Sequence, residues 1–315
     1  MLGELHDRIF KRIDGCPERS VLVLLDLSHP VASTHPLHID QLKKRQVTPE
    51  LFIVPRDDRM LDPDSHPRLL VLRKQEDRGY RDEELLSLTL GCAQKRRLSI
   101  NGSYVCGWLV ADAPPNEIAS QIRRNIVVND ASARRRRVVP LFEPHRLVLA
   151  SHLAPSQWFS RWLGSISSWF LVDVYGQLRE MRPILHNMVQ ERSSPNPDFW
   201  LAQSRVKQAR EVLLAMVKSG QIIPVDCEIR IDLSLQAAYR EGLSETEDVI
   251  FFAVNHMMLP PGWLAHPAVR ACIASAVSGE MTLTDSITSL RDEVLEELSL
   301  ADHVEATQRN IQGSA

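Results

Sequence analysis

One polar stretch, Arg192-Ser193-Ser194-Pro195-Asn196-Pro197-Asp198, separates two kinds of sequence. Two prolines and no other apolar residue in seven positions cannot sustain a helix or a central strand. Before it stand short apolar runs, each closed by turn residues. After it, apolar residues recur at helical spacing. The contrast predicts an α+β chain: a mixed sheet-and-helix N-terminal lobe over 1–190, then an all-α C-terminal lobe over 195–315. Two domains also suit a length of 315 residues.

In the first part, "SVLVLLD", "ELFIVP", "RLLVLR" and "SYVCGWLVAD" read as strands, the first ending at Asp26. "DEELLSLTLGCAQKRR" and "NEIASQIRRNIVV" have helical periodicity, and so does the opening segment through Leu2, Leu5, Ile9 and Ile13. "SQWFSRWLG" reads as a helix and "SSWFLVDVYGQLREMRP" as a hairpin about Gly176. In the second part, "DFWLAQSRVKQAREVLLAMVKSG" reads as one amphipathic helix stopped by Gly220. Ser244-Glu245-Thr246-Glu247 has the form of a capping box, and Pro267 opens a further helix.

Charge is uneven. The net charge of −3 does not suit a general DNA binder or a protein built for an acidic membrane. Yet Glu117 to Arg146 holds seven arginines against three acids, and Glu280 to Glu305 eight acids against one arginine. The basic stretch culminates in Arg134, Arg135, Arg136 and Arg137, placed between a polar turn and the strand-like "RVVPLF". Such a run can neutralise phosphates. No stacking aromatics are interleaved with it, so a solvated strand edge or a protein-partner patch is favoured over nucleic acid.

Phe142-Glu143-Pro144-His145-Arg146 reads as a strand-to-helix junction. Glu143 takes the N-cap position and Pro144 the first helical one, where the missing N–H costs nothing. Trp158, Phe159, Trp162, Trp169 and Phe170 form a dense aromatic group, read mainly as core, with Trp158 and Trp162 as candidate partner contacts.

Other chemistry is poorly represented. Five widely spaced cysteines without a C-x-x-C pair suit reduced thiols. His29, His35 and His38 lie within ten residues, but their spacing fits no compact ligand set. Asp26, at a strand end, stands where an α/β enzyme often places an acid and equally where a turn begins. There is no nucleophile elbow, phosphate-binding loop or H-E-x-x-H. No catalytic residue, cofactor or metal is expected. The N-terminus lacks the pattern of a secretory signal and no run is long enough to span a bilayer, so a cytoplasmic protein with no membrane partner is expected.

The order of segments resembles that of the type VI secretion effector chaperones, or adaptors (Tap or TEC proteins). "VLVLLD" at 21–26, "PRLLVL" at 67–72 and "GWLVAD" at 107–112 follow the family order, as does the helix-like "NEIASQIRRNIVV". The family's aromatic-Asp-Pro-Arg signature is matched in degenerate form by Phe142-Glu143-Pro144-His145, with Arg146 one place late. The resemblance runs over most of residues 20 to 290 and marks Asp26, Phe142, Glu143 and Pro144 as structural motif positions. It implies a non-enzymatic cytoplasmic adaptor that holds a secreted toxin effector and loads it onto a VgrG-type spike. Its partner-binding candidates here are Arg134 to Arg137, Arg146, Trp158 and Trp162. A nucleic-acid-associated protein using the arginine run, and a hydrolase using Asp26 and the histidine loop, are the alternatives.

Overall fold

The computed structural model describes residues 1–56, 62–75, 77, 82–99, 101–130, 135–184, 194–224, 226–292 and 294. It divides into two compact units, Met1–Ser204 and Arg205–Ala315.

The first unit contains α1 (Leu2–Ile13), β1 (Ser20–Leu25), α2 (Ile39–Lys43), β2 (Leu51–Ile53), β3 (Arg68–Arg73), α3 (Glu83–Arg96), β4 (Val105–Ala111) and α4 (Pro115–Asn125). It continues with β5 (Val127–Asp130), β6 (Arg135–Val138), α5 (Pro144–Leu153), α6 (Ser156–Leu163), β7 (Ile166–Val172), β8 (Leu178–Met181) and α7 (Pro197–Ser204). Six strands form one antiparallel sheet in the order β2-β3-β1-β4-β7-β8, and β5 and β6 form a separate ribbon.

The alternation of side chains along each strand sends residues to two apolar cores, one on each face. Leu22, Leu24, Leu69, Leu109, Trp169 and Leu171 pack on one side, against α4, α5, α6 and α7. Val21, Val23, Leu25, Leu70, Trp108 and Phe170 pack on the other, against α1, α2 and α3. An antiparallel sheet with one wet face reads as strict alternation; burial on both faces explains the unbroken apolar runs. Two polar groups drawn into these cores find partners there. Trp108 Nε1 donates to Thr89 Oγ1 at 3.0 Å, and the Tyr104 hydroxyl to the Leu37 carbonyl at 2.7 Å.

Gly107 interrupts β4 for a steric reason. Its φ is +142°, and a Cβ there would stand 2.4 Å from both the Phe170 carbonyl oxygen and Trp169 Nε1. That indole lies over the strand and donates to the Cys106 carbonyl at 3.2 Å.

The second unit is helical: α8 (Val206–Lys218), α9 (Cys227–Arg240), α10 (Thr246–Met258), α11 (Pro267–Ser278) and α12 (Leu283–Thr288). Its core includes Val212, Ile231, Leu235, Phe252 and Trp263. Two buried polar contacts tie it together. Arg205 donates from Nε (2.9 Å) and Nη2 (2.6 Å) to Asp232 Oδ1, and Asp248 Oδ1 accepts the Leu283 amide at 2.8 Å.

An α+β chain with a helical C-terminal unit is thus what the sequence folds into, with local differences. The units divide after Ser204, one helix beyond the proline-rich stretch, because Phe199 and Trp200 of α7 belong to the core of the first unit. The long helix expected from Asp198 to Gly220 is broken at Arg205 into α7 and α8. The helix expected to run through Val128 stops at Asn125, and its last residues become β5. Glu245, not Ser244, occupies the N-cap of α10, without a side-chain capping bond. The acidic stretch beyond residue 294 lies outside the described residues, as do residues 192 and 193.

Candidate functional site

The basic run forms part of a strand. Arg135, Arg136 and Arg137 lie within β6, paired antiparallel with Asp130, Asn129 and Val128 of β5; Arg134 lies outside the described residues. The sequence places the strand-like segment from Arg137 onward, with the arginine run as an exposed basic edge, whereas Arg135 and Arg136 are also within the strand. A two-stranded ribbon tolerates them, since Arg136 is exposed and Arg137 only half-buried.

Beside this strand lies a recess of about 400 Å³. Residues 136–140 form one side; Arg146 of α5 and Trp200, Gln203 and Ser204 of α7 form the other. Three guanidinium groups line it, and among the described residues no carboxylate does. Four consecutive residues border it, 136 to 138 of β6 and Val139 just beyond. Successive strand residues point to opposite faces, so a recess touching all four runs along the strand edge and not over one face.

Arg146 is fixed by its surroundings. Its Nη1 donates to the Gln203 carbonyl at 2.6 Å, and Gln203 Nε2 donates back to the Arg146 carbonyl at 3.1 Å. Its Nε lies 3.3 Å from Glu143 Oε2, a charge contact without hydrogen-bond alignment. Burial, aided by the charge of Arg56, lowers its pKa to about 10. It stays cationic at neutral pH with about a fifth of its side chain exposed.

Glu143 and Pro144 stand at the N-cap and first helical positions, as expected. Glu143 makes no side-chain capping bond, however; its carboxylate turns to Arg146 instead. Pro144 starts the helix, and Phe142 is fully buried below it. His145 is buried too, and neither ring nitrogen has a hydrogen-bond partner among the described residues. Burial, and secondarily the Arg146 charge, lowers its pKa to about 4.

The aromatic group is mostly interior. Trp162 stacks between Phe159 (6.0 Å) and Trp169 (5.7 Å), and its indole donates to the Asn125 carbonyl at 3.1 Å. Only 6% of it is exposed, so its main role is packing. Trp158 is partly buried, edge-on to Phe199 at 5.6 Å. Both border a second recess, of about 290 Å³, with Arg124 and Arg161.

Asp26 serves a turn. It is 2% exposed, and its Oδ1 accepts the Ser28 amide (3.0 Å) and hydroxyl (2.7 Å). His29 Nε2 lies 3.8 Å from its Oδ2. His35 and His38 each accept from a main-chain N–H two residues on. Among the described residues no cluster of three or more His, Cys, Asp or Glu could hold a metal, and no helix is long and apolar enough to cross a membrane.

Of the arginines singled out in the sequence, Arg136, Arg137 and Arg146 line the recess together with Trp200 and Gln203, and nothing in the linear spacing places α7 beside β6. No protein-family model, curated protein or solved structure matches the chain.

Proposed function

We propose that the chain is a non-enzymatic cytoplasmic adaptor that binds a secreted toxin effector and loads it onto a VgrG-type spike. The observation that carries this reading is the arginine-lined recess of the first unit. It joins three cationic side chains to an apolar wall of Val139 and Trp200, a composition suited to protein interfaces, where Arg and Trp are enriched. The order of sequence motifs over residues 20 to 290 supports the same reading.

The test is pairwise co-purification of the full chain with a toxin effector and with a VgrG-type spike protein from the same bacterium. Capture of both is the expected result; capture of neither overturns the proposal. Rim charges act mainly on encounter, so replacing Arg136 and Arg137 with Ser should slow toxin association more than it speeds dissociation, and weaken its salt dependence.

A second reading, nucleic-acid binding, draws on the ribbon itself, because a two-stranded β-ribbon fits a major groove. Steeply salt-dependent duplex binding that is lost in the same Arg136 and Arg137 variant would favour it. Hydrolase activity that survives repurification and disappears in Asp26→Asn would favour an enzyme.

A further inference from the structure

The edge of β6 that faces away from β5 has no strand partner among the described residues. The register shows which main-chain groups it offers. The Val139 amide donates to the Ile126 carbonyl at 2.8 Å, and the pairs Val138–Val127 and Arg137–Val128 follow. In an antiparallel pair, opposed residues alternate between exchanging both hydrogen bonds and exchanging none. The Val139 N–H and both main-chain groups of Arg137 therefore turn towards β5, while the Val139 carbonyl accepts the Leu141 amide at 2.8 Å. Val138 and Arg136 turn theirs outward, to the side on which the recess runs.

Among the described residues that edge lacks two of the usual protections, a proline and a covering helix backbone. The strand has no proline within it, and no helix backbone takes up the outward groups of Arg136 or Val138 among the described residues. Its charges deter a second basic edge, including that of another copy of this chain, but attract an acidic one. Arg146 adds a fixed cation across the recess, aligned by Gln203. Outward-facing main-chain groups and the guanidiniums of Arg136 and Arg146 therefore lie along one strip, with no carboxylate among the described residues that line it.

We propose that β6 accepts an extended acidic polypeptide segment as an added strand, its main chain pairing with Arg136 and Val138 and its carboxylates, on the face shared with Arg136, meeting Arg136 and Arg146. This deepens the adaptor reading, since it names the chemistry of the partner segment. Main-chain pairing would supply affinity, and the spacing of the arginines specificity, the division of labour usual in strand addition.

The experiment needs no effector, so its failure is distinct from failure of the adaptor reading. A fluorescent octapeptide of alternating Glu and Val is titrated against the full-length protein by anisotropy. Saturable binding is expected. A Lys-Val peptide, and the Glu-Val peptide N-methylated at alternate residues so that one edge cannot pair, should each bind at least about tenfold more weakly. Val138→Pro removes one outward N–H while leaving the ladder to β5 intact, and should weaken binding by a similar factor. Arg136→Ser should do so in a salt-dependent way. Unchanged far-UV circular dichroism and melting temperature identify the variants that keep the fold; Val138→Ala is the control expected to bind normally. The proposal is overturned if the N-methylated peptide binds as well as the parent, which would leave charge alone as the attraction. Absence of saturable binding also overturns it. So does a single-stranded oligonucleotide that binds more tightly than the peptide and is indifferent to Val138→Pro.

Discussion

Arg146 and Gln203, 57 residues apart, bind each other twice: the arginine donates to the glutamine carbonyl at 2.6 Å, and the glutamine side chain donates to the arginine carbonyl at 3.1 Å. This exchange joins α5 to α7 and aims one cation into the recess. Gln203 is 2% exposed, so water cannot readily replace it. Gln203→Ala should destabilise the protein by about 1–3 kcal/mol, the usual cost of leaving buried polar groups without partners. Urea denaturation checks this; a loss below about 0.5 kcal/mol would mean the pair is dispensable.

Glu143 offers a sharper distinction. As a helix cap it would contribute about 0.5–2 kcal/mol without reference to Arg146. As a counter-ion it should couple to that residue. In the cycle of Glu143→Ala, Arg146→Met and the double variant, a coupling of about 1–3 kcal/mol is expected, since Glu143 is nearly buried and Arg146 partly so. Additive effects would return Glu143 to the role of cap.

His145 gives stability a pH dependence. Its folded pKa is about 4 against an ordinary 6.5, so the unfolded chain takes up the proton first. Stability should be unaffected above about pH 6.5, fall as pH drops below it, and level off near pH 4. One such group accounts for up to about 3 kcal/mol, at 1.36 kcal/mol per unit. His35 and His256, also lowered chiefly by burial, add to the same slope. His145→Leu, which leaves no unpaired ring nitrogen, should flatten the slope between pH 6.5 and 4 while matching the parent at pH 8. An unaltered slope would show that the imidazole is more hydrated than its burial indicates.

In the helical unit, the Arg205–Asp232 pair is buried on both sides, and Asp232 Oδ2 also accepts from Gln236 Nε2 at 2.9 Å. Arg205→Met strands the carboxylate and should cost about 3–5 kcal/mol; adding Asp232→Leu should recover most of that. No recovery in the double variant would mean that the pair also dictates how α8 and α9 pack.

The same pair shows where sequence legibility ended. Apolar spacing continues from α7 into α8 without a break, and nothing local marks Arg205 as the point where the helix must part. Arg205 stands at the break as the N-cap of α8, and its guanidinium is held by Asp232, 27 residues on. By contrast β1, β3 and β4 were legible because burial on both faces writes itself as an apolar run. The β5–β6 ribbon was not. Val127 and Val128 extend the helical pattern of α4, and only their pairing with Val138 and Arg137 makes them a strand. The arginines of the recess were visible as residues, but the recess itself depends on the distant α7.

All six residues of β1 are buried, and the strand is bonded on both sides, to β3 and to β4. Both neighbours come later in the chain. During synthesis Ser20 to Leu25 therefore leaves the ribosome as an apolar ribbon whose second neighbour is complete only when Ala111 has emerged. In that interval it is an attractive target for a holding chaperone and the segment most exposed to faulty pairing. Once the sheet has closed, the same amides should be among the last in the protein to exchange with deuterated water, because releasing them requires opening both neighbours at once.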